Sequence, residues 1–178
     1  MKVAITGASG FVGTHLIRRL RVRGHKAVAL VRDGGGRPAG SVATRPFPKE
    51  GPPDLRGLDA VVNLAGESIL GWWTKSKKQR IVESRVDTTQ RLVAGIKALP
   101  PGKGPRVLVS ASAVGYYGDA AEAVLDEAKP AGSGFLAEVA REWEEAAQTA
   151  ESAGVRVARV RIGVVLGKDG GAFPAQRK

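Results

Sequence analysis

The sequence has no cysteine, one methionine, two histidines and only 5% aromatic residues. Without cysteine there is neither a disulfide framework nor a thiolate ligand for a metal ion. His15 and His25 both lie in or just after the first helical pattern, so no metal mechanism is expected. No apolar run approaches the roughly 20 residues needed to span a bilayer, which argues against a membrane partner. The start, "MKVAIT", enters a strand-like run at once, with no separate apolar segment or small-residue cleavage site. No signal peptide is expected, and the location reads as cytoplasmic.

What is present is a basic chain of 178 residues with a net charge of +11, 43% apolar and 25% charged residues. That length and composition fit one soluble domain, residues 1–178, with a substantial core. The positive charge raises nucleic acid as a partner. Its distribution argues against one: basic residues scatter over "RRLRVRGHK", "TKSKKQR" and isolated positions, residues 119–151 are acidic, and no aromatic-plus-basic signature or zinc-finger spacing occurs.

Apolar runs of strand length occur at Val3–Thr6, Ala27–Val31, Ala60–Leu64, Val107–Ser110 and Val155–Val160, with a weaker one near Val42–Phe47. Helical periods fall at 11–23, 75–98 and 134–153. This alternation predicts a Rossmann-like α/β fold, a doubly wound parallel sheet with helices on both faces. The segments "DGGGRPAG" and "PFPKEGPPDLRG" read as surface loops.

The most informative motif is "TGASGFVG", with Gly7, Gly10 and Gly13 directly after the first strand and at the opening of the first helix. A glycine turn lets the backbone approach a pyrophosphate, and the helix N-terminus offers unpaired N–H groups and the positive end of a dipole. Gly7, Ser9, Gly10, Phe11, Val12 and Gly13 are therefore the expected cofactor-binding residues of this turn, Gly13 by permitting close helix–sheet packing, the alternative being a tight strand-to-helix turn without a ligand. The second strand ends in "LVRD". An acid there binds a ribose 2′-hydroxyl, whereas an arginine accommodates a 2′-phosphate. Arg32 precedes Asp33, so NADP(H) is the expected cofactor; the competing reading is a solvated arginine before the glycine loop.

The ordered set "TGASGFVG", "VVNLAGESI", "ESRVDTTQRLV", "VSASAVGYYG", "GFLAEVAREWE" and "RIGVVLG" resembles the extended short-chain dehydrogenase/reductase superfamily of the NAD-dependent epimerase/dehydratase type. More narrowly, it is similar to its atypical, epimerase-like NADP-binding subgroup, and the resemblance covers essentially the whole chain. It implies that Leu64, Ala65, Gly66 and Glu67 line the adenosine side, that Ser110 lies near the cofactor, and that Val165 makes a backbone contact by the nicotinamide. Arg85 stands where such proteins usually carry asparagine; it either reaches a cofactor phosphate or acidic substrate, or pairs on the helix surface with Glu83 or Asp87.

In "VSASAVGYYG" the resemblance implies a serine that hydrogen-bonds a substrate carbonyl, Ser112 in first place and Ser110 in second. The superfamily's proton donor is a tyrosine in a Tyr-x-x-x-Lys pattern on the next helix. Phe135 and Val139 occupy those two positions here, and neither can donate a proton or carry charge. The candidate donors within the loop are Tyr116 and Tyr117, whose alternative role is aromatic packing. The resemblance also implies a substrate-binding part following residue 178, absent or vestigial in this chain. The expected activity is that of an NADP-dependent oxidoreductase or nucleotide-sugar-epimerase-like enzyme of unknown small-molecule substrate; the alternative is a non-catalytic dinucleotide-binding or interaction module. Pairing of subunits through the helices at 75–98 and 134–153 would give a homodimer.

Overall fold

The computed structural model describes residues 1–32 and 34–172. Asp33 and the last six residues of "RIGVVLGKDGGAFPAQRK" lie outside the described residues. In chain order the elements are β1 (Lys2–Thr6), α1 (Phe11–Val22), β2 (Lys26–Val31), β3 (Ala43–Pro46), β4 (Ala60–Asn63), α2 (Lys75–Glu83), α3 (Val86–Lys97), β5 (Val107–Ala113), α4 (Phe135–Gln148), β6 (Arg156–Ile162), β7 (Leu166–Gly167) and β8 (Gly170–Gly171). Strands β1 to β6 form one sheet in the order β3-β2-β1-β4-β5-β6, every pair parallel. This is the Rossmann-like α/β architecture that the alternating pattern predicts.

The chain leaves β1 toward β2 and β3, then returns to place β4 on the other side of β1. Connections on the two sides of this switch point open a crevice at the carboxyl ends of β1 and β4, where open α/β sheets bind their ligands. Two apolar clusters hold the sheet between its helices. On one face Ala4, Val28, Leu30, Val61 and Leu108 pack against Leu92, Val93 and Ile96 of α3 and Ala147 of α4. On the other, Val3, Ile5, Ala27 and Ala29 pack against Ile17, with Leu16 and Leu20 beside them. Leu92 and Leu108 are completely buried, and each such side chain contributes about 1.5–3 kcal/mol relative to exposure.

The structure corrects three of the expected boundaries. The helix expected over 75–98 is two helices, because Ser84 and Arg85 break it: the Ser84 hydroxyl donates back to the Ile81 carbonyl at 3.1 Å and accepts the Glu67 amide at 2.9 Å. Local serine bonding of this kind competes with the helical ladder. Strand β5 runs three residues past Ser110, since Ala111, Ser112 and Ala113 continue the ladder opposite Val160, Arg161 and Ile162. The helix expected over 134–153 ends as an α-helix at Gln148 and finishes as a tighter 3₁₀ turn over Thr149–Ala153. The weak strand near Val42–Phe47 is present as β3, parallel to β2. No helix among the described residues is long and apolar enough to cross a membrane.

Candidate functional site

The first turn after β1 is built by close backbone approach. Gly7 has φ +63°, and a Cβ there would stand 2.5 Å from the Leu64 carbonyl oxygen. A Cβ on Gly13 would overlap the Gly7 carbonyl and stand 2.9 Å from Ala8 Cα, so only glycine lets α1 start this close to the strand. Gly10 is the N-cap of α1; it supplies no side-chain acceptor, and the first turn carries no acidic residue. The amide end of α1 is thus left without a protein anion.

Thr6 ties the ends of β1 and β4 together. Its hydroxyl donates to Asn63 Oδ1 at 2.7 Å and accepts the amides of Leu64 and Ala65, each at 3.1 Å. Asn63 is completely buried and donates in turn to Thr89 Oγ1 at 2.7 Å and Ser110 Oγ at 3.3 Å. The Thr89 hydroxyl donates to the Arg85 carbonyl at 2.6 Å. This Thr6–Asn63–Thr89–Ser110 network fixes the floor of the crevice; sequence reasoning assigned no role to Thr6 or Thr89, and took Asn63 only as the start of the "NLAG" segment at the end of β4.

The crevice is a cavity of about 620 Å³, lined by Gly7, Ser9, Gly10, Arg32, Leu64, Ala65, Gly66 and Glu67 among the expected residues. Thr6, Phe47, Lys49, Thr88 and Arg91 complete much of its wall. Arg32 and Lys49 are exposed on it. Glu67 receives Lys77 Nζ at 2.9 Å, and that hydrogen bond, with the positive charges of Lys77 and Arg80 behind it, holds its carboxyl below the usual range.

Six of the expected cofactor residues do not line this cavity, Ser110 among them because it is buried in the network beneath the floor. Phe11 makes a tilted ring contact with His15, centroids 4.6 Å apart, and lies under the β7–β8 hairpin. Val12 is exposed, and Gly13 is buried beneath the turn. The Val165 carbonyl accepts the Ala172 amide at 2.9 Å. Arg85 turns inward rather than toward Glu83 or Asp87: it donates to the carbonyls of Ile81 at 3.2 Å and Glu67 at 3.0 Å, and its guanidinium lies 5.4 Å from the Trp143 ring centroid. Burial lowers its pKa from the ordinary arginine value.

The expected catalytic loop is gathered elsewhere. Ser112 is buried and donates to Glu144 Oε1 at 2.7 Å. Glu144, 3% exposed, also receives Arg161 through both carboxylate oxygens, Nε at 2.8 Å and Nη2 at 2.9 Å. Burial alone would raise the Glu144 carboxyl, but the hydrogen bonds from Arg161 and Ser112 outweigh it and lower the net value. Arg161 Nη1 donates to the Tyr117 oxygen at 2.7 Å, while the Tyr117 hydroxyl donates to the Asp126 carbonyl at 2.8 Å. The Tyr116 ring lies 3.6 Å from the same guanidinium. Tyr117, Glu144, Arg159 and Arg161 line a second cavity of about 510 Å³ that shares no wall residue with the first. Glu144 and Arg161 were missed because their partners lie 17 to 44 residues away in sequence.

At the start of α4, Phe135 packs edge-on against Trp73 at 5.7 Å, with Lys78 Nζ 5.1 Å from its ring centroid. Val139 and Trp143 are buried on the same helix. The positions of the usual Tyr-x-x-x-Lys pair are packing positions here.

A parallel sheet reversed at β1 and β4, with a glycine turn feeding α1, defines a Rossmann-like domain. The chain belongs to the NAD dependent epimerase/dehydratase family, whose model matches residues 3–177. It is 44% identical to the epimerase family protein SDR39U1 homolog, chloroplastic, of Arabidopsis thaliana, a match covering 97% of this chain and 51% of that protein. Among solved structures it is similar to human epimerase family protein SDR39U1 (isoform 2) with NADPH, at 33% identity and TM-score 0.82, covering 99% of this chain and 58% of that one. It is also similar to the nucleoside-diphosphate sugar epimerase of Corynebacterium glutamicum, at 38% identity and TM-score 0.82, covering 99% of this chain and 37% of that one. The chain thus spans about half the length of the curated relatives it matches.

Proposed function

We propose that this chain is the NADP(H)-binding part of an oxidoreductase or epimerase-like enzyme of unknown small-molecule substrate. The observation that carries the reading is one cavity joining the glycine turn to Arg32. The residues present fit a dinucleotide: the uncapped end of α1 suits a pyrophosphate, and the exposed Arg32 suits a 2′-phosphate. The human relative whose structure holds NADPH supports the choice of cofactor. When bound, NADP(H) supplies or accepts a hydride. The chain's own residues orient it: Gly7 and Gly10 admit the phosphates, Thr6 and Asn63 hold the crevice floor, and Arg32 selects the phosphorylated ribose.

A second reading, a dinucleotide-binding module without turnover, is favoured by two observations. The Ser112 hydroxyl is committed to Glu144, and the tyrosine–lysine positions hold Phe135 and Val139. One experiment addresses both. Arg32→Ala should weaken NADPH about ten- to a hundredfold in a fluorescence titration and leave NADH nearly unchanged, since a charge-assisted contact of about 1.5–3 kcal/mol is lost. Equal losses for both dinucleotides would remove Arg32 from the phosphate site. Absorbance assays of the same preparation with a panel of aldehydes, ketones and quinones separate enzyme from module. Turnover of about 1 s⁻¹ or more identifies an enzyme in this chain alone.

A further inference from the structure

We propose that Arg91 is the residue that seats the adenine base, through the flat face of its guanidinium. The inference rests on the dinucleotide reading above and concerns the wall of the cavity that α3 supplies.

Arg91 reaches that wall from α3, one turn after Thr88, which also lines it. Its Nε donates to the Gly51 carbonyl at 3.1 Å, and its guanidinium carbon lies 4.5 Å from the centroid of the buried Phe47 ring. Its Nη2 is buried and has no hydrogen-bond partner among the described residues. An arginine fixed at Nε and backed by an aromatic ring is a rigid plate rather than a mobile charge. A buried, unanswered N–H group is costly, a cost the fold bears to hold the guanidinium in this place.

The surroundings decide between a base and a phosphate. Leu30, Pro38, Phe47 and Pro48 give the cavity an apolar share of its lining that suits a purine, while Arg32 and Lys49 are its exposed cations. Phe47 is placed there by β3, its amide donating to the Val31 carbonyl at 2.6 Å, one residue before Arg32. Arg32 is exposed and Arg91 is largely committed, so the two arginines divide the work: the outer one takes charge, the inner one stacks. Guanidinium planes stack on bases, so the plate held by the Gly51 carbonyl and the Phe47 ring can take a purine on its face.

The experiment is a titration of the wild-type chain, Arg91→Met and Arg91→Lys with NADPH, NADH and reduced nicotinamide mononucleotide, which lacks the adenosine half. Removing a stacking partner of a base costs roughly 5- to 150-fold in affinity. Both variants are expected to lose NADPH and NADH by a similar factor in that range, with mononucleotide binding and melting temperature little changed. Lysine does not rescue, because it restores the charge without the plane. A loss confined to NADPH would overturn the stacking role in favour of a second phosphate contact. Unchanged affinity for both dinucleotides would reduce Arg91 to a brace for the Gly51 turn, and a common loss for all three ligands with a lower melting temperature would do the same. Wild-type protein that binds neither dinucleotide would overturn the cofactor reading as well, an outcome distinct from wild-type binding that is indifferent to position 91.

Discussion

The two cavities differ in how their polar groups are satisfied. In the crevice at β1 and β4, Arg32 and Lys49 face solvent, Arg91 keeps a buried nitrogen unanswered, and the end of α1 carries no cap. At the β5–β6 end, Glu144, Arg161, Ser112 and Tyr117 answer one another within 2.9 Å, and the carboxylate accepts at both oxygens. Donors kept open at a cost are the mark of a surface built for a ligand, whereas a closed network spends its bonds on holding the fold. The resemblance to the superfamily directs attention to Ser112, Tyr116 and Tyr117 as chemistry. Their contacts here are those of a brace joining α4 to the edge strand β6.

The largest break in this contrast is expected from Glu144→Ala. It leaves Arg161 without its countercharge and Ser112 without an acceptor, and removing one member of a buried ion pair costs about 3–5 kcal/mol. Urea unfolding should read that loss, while the protein that remains folded binds NADPH as before. The sign of the pH effect follows from the lowered carboxyl. A group more acidic in the folded state contributes fully above the ordinary carboxylate range, near pH 4.3, and loses that contribution as pH falls through its folded value. The wild-type chain should therefore lose stability on acidification below about pH 4, along a slope that is shallower in Glu144→Ala.

Most of the first region and little of the second could be read along the chain. The glycine turn, Arg32 and the "NLAG" segment are contiguous motifs whose spacing follows from strand and helix geometry, and each lines the crevice. Arg91 gave no such signal, because an arginine on a helix face looks solvated until Phe47 is placed beneath it. The brace was equally silent. Glu144 sits among charged neighbours in "AREWEEA" and reads as a solvated helix face, and only the β5–β6 register brings Arg161 opposite Ser112. The same small residues that make "SASA" look like a loop let β5 continue as a strand beneath α4. The break between α2 and α3 was hidden because apolar spacing runs through it; a serine bonding backward stops the helix without disturbing the pattern.

Gly13→Ala should have the next largest effect and should act on both stability and binding. The added Cβ meets only backbone, the Gly7 carbonyl and Ala8, so α1 must move away from the turn. Overpacking of this kind costs about 1–3 kcal/mol. The displaced turn should also bind NADPH at least about tenfold more weakly, a positioning loss of 1.4 kcal/mol or more. A variant with a lower unfolding midpoint and unchanged NADPH affinity would show that the phosphates do not rely on the helix start.

The smallest expected effect is the most discriminating. Ser112→Ala removes one hydroxyl from a carboxylate that keeps both bonds to Arg161, so the acceptor stays paired. A single hydrogen bond to a charged group contributes about 1.5–3 kcal/mol, and retention of the arginine places the cost at the low end. The affinity for NADPH should stay within about twofold, well under the 1.4 kcal/mol that a tenfold change represents, because Ser112 and the crevice share no wall. Stability from urea unfolding and affinity from NADPH fluorescence, taken on one preparation, separate the two roles of this serine. Lost stability with intact binding makes it part of the brace. Intact stability with weakened binding would put its hydroxyl against the cofactor rather than Glu144, and the contrast between the two regions would fail at that residue.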